Sequence, residues 1–169
     1  MDAKIGIIGF KCLLPNGLIE SAGLKMVKWA PCDIGRDSPS HHFSLNREAD
    51  AVQWAFALIR VEAVKGMLEE NTYHGFRGWD DIDNSLMIKK NGWKVVYCGA
   101  GVGYHDPRAT RGDNSELADK ENKENGIIFY KRWGLWEEYL KENPDVKDIH
   151  ALPKEFVVKN QPQTAVVPV

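Results

Sequence analysis

Residues 78–98 read Gly78-Trp79-Asp80-Asp81-Ile82-Asp83-Asn84-Ser85-Leu86-Met87-Ile88-Lys89-Lys90-Asn91-Gly92-Trp93-Lys94-Val95-Val96-Tyr97-Cys98. The stretch predicts a helix that starts near Asp80 or Asp81, with Ile82 and Leu86 on one face. Gly92 suits the position just past the last turn, where the backbone adopts positive φ. The β-branched and aromatic run from Trp93 to Cys98 then predicts a strand. A helix running through glycine into a buried strand is the signature of an α/β chain.

Outward from there, Ile5-Gly6-Ile7-Ile8-Gly9-Phe10 is a short apolar run that reads as a buried strand, extended by Lys11 to Leu14. Pro15-Asn16-Gly17 is a turn signal, and Leu18 to Ser21 returns as a second short strand. The stretch from Lys28 to Arg47, with Pro31, Gly35 and Pro39, reads as an irregular surface loop. Val52 to Val61 is the strongest apolar run and predicts a buried strand passing into a short helix, Glu62 to Met67. Residues 69–80 carry loop signals, and Gly101 to His105 reads as a further short strand. Ser115 can cap a long helix that turns apolar at Ile127-Ile128-Phe129-Tyr130, and a last helix around Leu135 to Leu140 ends before Pro144. The expected fold class is α/β, with a small mixed sheet flanked by helices. The folded unit spans 1–143, and a poorly ordered tail with prolines spans 144–169.

Composition bounds the function. The chain has 169 residues, 22 Lys plus Arg against 24 Asp plus Glu, and a formal net charge of -2. That balance gives no electrostatic case for nucleic acid or an anionic membrane. No apolar run reaches the length of a membrane span. Met1-Asp2-Ala3-Lys4 lacks the charged-then-apolar layout of a signal peptide, so the expected location is cytoplasmic. The three cysteines, Cys12, Cys32 and Cys98, are widely spaced and read as free buried thiols. His41-His42 near Cys32 fits no structural metal pattern.

Two features carry candidate chemistry. Asp80, Asp81 and Asp83 follow a glycine-bearing loop at a helix start, where free N–H groups and the macrodipole offset their mutual repulsion. One reading is plain helix-start stabilisation. The other is a carboxylate at the mouth of a cleft, able to accept a proton from a hydroxyl. Trp79 beside them either stacks on a sugar ring or packs. His105 ends a predicted strand, where sites gather in open α/β sheets, and is either a metal-ligating imidazole or a hydrogen-bonded surface residue. Trp54 and Trp93 read as core, and Trp133 and Trp136 as packing anchors.

In order along the chain, these pieces resemble the C-terminal, acceptor-side half of a family-2 glycosyltransferase of the GT-A fold. The carriers are Ile5-Gly-Ile-Ile-Gly-Phe with Leu14-Pro-Asn-Gly-Leu-Ile-Glu-Ser-Ala-Gly23, Val52 to Val64, Gly78 to Asp83, Lys90 to Tyr97, and Val102-Gly103-Tyr104-His105. The resemblance covers roughly residues 4–134. It implies a truncated GT-A-like domain over 1–143 and inverting transfer from a nucleotide-sugar to a saccharide or other hydroxyl. Asp81 falls on the catalytic base. Asp80, Asp83 and Trp79 fall on acceptor-binding or supporting positions, and Asp80 stands where the family has Glu. His105 falls on a position that completes a metal site (Mn²⁺ or Mg²⁺) in some members. Arg111 lies in the loop that closes over the diphosphate.

The resemblance omits the family's front half, which binds the nucleotide and carries the metal-holding Asp-x-Asp. Asp81-Ile82-Asp83 has that spelling but stands at the base position. The "glycine-glycine-phenylalanine-aspartate" turn is eroded to Gly66-Met67-Leu68-Glu69. Hence the expectation of a separate chain that supplies the nucleotide-binding half, and of a sheet edge left exposed or re-covered. The alternatives are a fragment of a longer reading frame, or a non-catalytic carbohydrate-binding or protein-interaction module.

Overall fold

The apolar run Ile5–Leu13 forms β1, the spine of the molecule. The structure is a computed structural model and describes residues 2–66, 72, 73, 75, 79–106 and 115–146. One edge of β1 pairs in parallel with β7, Lys94–Tyr104. Its other edge is shared by two short antiparallel strands. β6 (Ala57–Ile59) covers Ile7 to Gly9, and β2 (Ile19–Ser21) covers Cys12 and Leu13. β5 (Arg47–Glu48) pairs antiparallel with the far side of β7. The result is a five-stranded mixed sheet. β3 (Leu24–Val27) and β4 (Ala30–Asp33) form a separate antiparallel hairpin.

Parallel strands cannot be joined by a tight turn, and the crossover from β1 to β7 carries the first two helices. These are α1 (Val61–Val64) and α2 (Asp80–Lys90). α2 ends as its sequence requires: Asn91 and Gly92 donate to carbonyls of the last turn, and Gly92 takes φ 82°. Ile88 of α2 packs with Ile7, Val95 and Tyr97 of the sheet in one buried cluster. α3 (Ser115–Arg132) and α4 (Trp136–Glu142) build a second cluster with the outer face of α2. Leu86, Ile127, Phe129, Tyr130, Trp133 and Trp136 are its buried members, so Trp133 and Trp136 are packing anchors.

Several expectations need correction. Lys28 to Arg47 is not irregular throughout, because β4 and β5 lie within it and β3 precedes it. Pro31 masked the hairpin, but a two-stranded hairpin has open edges that tolerate a missing N–H. Val52 to Val61 is not a buried strand. Only Val52 is buried, Trp54–Phe56 is a single 3₁₀ turn, and Leu58 is 64% exposed on the sheet edge. Trp54 is partly buried in that turn rather than in a strand. The two short strands expected at 93–98 and 101–105 are one strand with a register shift. Of the cysteines only Cys12 is fully buried, and Cys32 is exposed. Met67, Arg111 and the tail beyond 146 lie outside the described residues. Among the described residues, no helix is long and apolar enough to cross a membrane.

Candidate functional site

The register of β1 against β7 makes the floor of the site. Phe10 pairs with Cys98, but Lys11 pairs with Val102, so β7 gains extra residues at Gly99 to Gly101. Alternation of side chains restarts after the shift. Gly103 then lies opposite Cys12, on the face that carries Phe10. A Cβ on Gly101 would meet the Phe10 ring at 2.1 Å, and one on Gly103 would meet Phe56 at 2.7 Å. The two rings lie 4.8 Å apart, so a paired aromatic surface rests directly on glycine backbone. Only glycine leaves room for it.

Asp81 lies in the first turn of α2, and its Oδ2 accepts the backbone N–H of Trp54 at 3.0 Å, in the turn whose Phe56 ring packs on Phe10. Its carbonyl accepts from the Ser85 hydroxyl at 2.7 Å, and that hydroxyl in turn accepts from the Trp54 indole at 3.3 Å. These bonds lock the helix start to the chain leading into β6. The helix terminus and the donated N–H both favour a negative carboxylate there.

His105 follows the end of β7. Its backbone N–H donates to the carbonyl of Leu13 at 2.8 Å, which carries the chain past the end of β7 along β1. Its Nδ1 lies 2.7 Å from Oε2 of Glu20, a residue 4% exposed on β2. Glu20 was not singled out in the sequence. The signal was present as Ile19-Glu20-Ser21, an acid between two residues that both face the interior, which is unusual unless the acid has a partner.

The charges converge on Cys12. Burial, with the carboxylates of Glu20, Asp33 and Asp81 adding to it, pushes its thiol up to about 12. Cys12 is therefore a neutral, inert floor residue. Glu20, Asp33 and Asp81 thus all lie within electrostatic reach of this thiol. Asp33 joins them from β4: its Oδ1 is buried without a partner among the described residues, and burial raises its carboxyl above the usual value. A strand end with several carboxylates attracts hydroxyl protons and cations and repels bare anions.

The remaining candidates sit elsewhere. Asp83 is buried, and its carboxylate is gripped by Arg132 Nε at 3.1 Å and by the Trp133 indole at 2.6 Å. It ties α2 to α3 inside the second core cluster. Trp79 leads α2, lies 5.1 Å from Phe129 and 5.3 Å from Tyr130, and donates to the Asn122 carbonyl at 3.1 Å. Its ring is engaged in packing. Asp80 is exposed in the first turn of α2. His41 and His42 pack edge to face at 4.5 Å on an exposed loop. Among the described residues, no group of three or more His, Cys, Asp or Glu side chains is arranged to hold a metal ion. No protein-family model matches the chain, and no curated protein matches it.

Proposed function

We propose that this chain is the acceptor-side half of a sugar-transferring enzyme, with Asp81 as the base. The observation that carries the reading is Asp81 in the first turn of α2, its carboxylate bonded to the Trp54 N–H, with Glu20 and Asp81 both within electrostatic reach of the Cys12 thiol. Asp81 is fixed by its bond to Trp54, and its helix terminus favours the ionised form that a base needs. An acceptor hydroxyl gives its proton to that carboxylate as its oxygen attacks the anomeric carbon. The bond to the diphosphate breaks on the opposite side, so configuration inverts. A divalent cation, when bound, would offset charge on the departing diphosphate. The described residues offer it His105 but no assembled donor set, so the steps proposed run on the chain's own carboxylate.

The carboxylate-rich surroundings favour a neutral, hydroxyl-bearing acceptor over the anionic donor. The donor therefore belongs to a nucleotide-binding half supplied by another chain. An exposed sheet edge supports this: β6 and the start of α1 present Leu58 and Val61, 64% and 73% exposed. The same edge also suits a protein-interaction module that has no transfer activity, which is the second reading.

The test combines the chain, together with a nucleotide-binding chain that co-purifies with it, with nucleoside-diphosphate sugars, Mn²⁺ and a panel of saccharide acceptors, and measures both binding and transfer. Transfer that disappears in Asp81→Asn, with circular dichroism unchanged, is the expected result. Activity surviving in that variant would refute the base. Saccharide binding without donor binding or transfer would favour the module.

A further inference from the structure

Glu20 is a buried carboxylate that the proposed reaction does not use, and its position is set by a backbone irregularity. In the β1–β2 pairing Cys12 faces Ser21 and Leu13 faces Ile19, which leaves Glu20 as the bulged residue between them. Bulges re-aim side chains, and this one directs Glu20 to the imidazole of His105. The imidazole is itself fixed from behind, through its backbone bond to Leu13. Both partners are therefore set by β1, one strand edge each.

We propose that Glu20 is a positioning residue: its buried carboxylate accepts the Nδ1–H of His105 and so leaves Nε2 as the electron-pair donor of the site. The reasoning is one of burial and inventory. Glu20 is almost wholly removed from water, and an ionised carboxylate there needs a donor. His105 Nδ1 is the donor at hand, at 2.7 Å. A neutral imidazole carries one proton, so a proton held on Nδ1 frees Nε2. The His105 side chain is 32% exposed while that of Glu20 is 5% exposed, so water reaches the imidazole far more than the carboxylate. The carboxylate also holds the ring in that tautomer and orientation. The inference rests on the sugar-transfer reading only for what Nε2 meets during turnover. The Glu20–His105 arrangement itself is independent of it.

The experiment needs no donor, acceptor or metal. Nitrogen-15 imidazole spectra of the full chain at neutral pH, with His105 assigned by its loss in His105→Asn, report which ring nitrogen carries the proton. The expected result is the Nδ1–H form in the native protein. Carbethoxylation of His105 by diethylpyrocarbonate, followed by peptide mass spectrometry, reads the nucleophilicity of the free nitrogen, with exposed His41 and His42 as internal standards. In Glu20→Gln the His105 rate should fall roughly threefold or more while the standards stay unchanged. A native Nε2–H form, or an unaltered rate in Glu20→Gln, would overturn the proposal. If Glu20→Gln does not fold, the native tautomer alone decides. None of these outcomes depends on transfer, so failure here and failure of the Asp81 test are separable.

Discussion

Asp33 shows at the residue scale how the site is held under electrostatic strain. Its carboxyl is raised from the ordinary 3.8 chiefly by burial, with Glu20 adding to the shift, while Ser21 and Arg36 oppose it. A raised acid binds its proton more tightly folded than unfolded. Its effect on stability is therefore neutral-to-favourable below 3.8 and becomes a cost as pH rises through the raised value. Asp33→Asn removes that cost. The variant should melt higher than the native chain at about pH 7 and show no advantage at about pH 3. Equal shifts at both pH values would mean that packing, not charge, governs this position. Asp83 was legible in the sequence only as one more acid near a helix start. Its partners, Arg132 and Trp133, lie about fifty residues downstream, and no local pattern announces them.

The element that organises the site is β7. Its alternating glycines, Gly99, Gly101 and Gly103, are the wrong spacing for a phosphate loop, and their purpose is steric. Gly101 sits under Phe10 and Gly103 under Phe56. Gly101→Ala should destabilise the fold by about 1–3 kcal/mol in urea titration, because its Cβ would lie 2.1 Å from the Phe10 ring and force that ring to move. Adding Phe10→Leu to that variant should recover part of the loss. Failure to recover would show that the strain lies in the backbone of β7 instead. Helix α2 was the most legible element, since its acidic start and glycine exit both obey local rules. The β3–β4 hairpin was the least, since Pro31 and its charged neighbours give no alternation to read.

At the scale of the whole molecule, the exposed apolar side chains of the five-stranded sheet, among the described residues, gather along β6 and at the end of β7. Phe56, Leu58, Ile59 and Val61 are all exposed there, and Val102 and Tyr104 are exposed at the end of β7. Arg60 does not guard the edge, because its Nε donates inward to the Ile5 carbonyl and its guanidinium lies over Trp93. An apolar edge of this kind drives association. Sedimentation of the native chain should shift with concentration, and Leu58→Lys should abolish that shift without changing its melting temperature. A native chain that stays monomeric at high concentration would leave the edge without this role.

The sequence by itself determined the α/β class, the two C-terminal helices, the strand at the start and the helix that begins near Asp80. Each of these is set by side-chain periodicity and by caps within a few residues. Tertiary structure alone decided that Val52 to Val61 lies on an edge and not in the core, that Asp83 is an internal strut, and that Glu20 meets His105. Hydrophobicity records how much a segment would gain from burial, not whether a neighbour arrives to bury it. A carboxylate's role, likewise, depends on which distant donor the topology brings within hydrogen-bond reach.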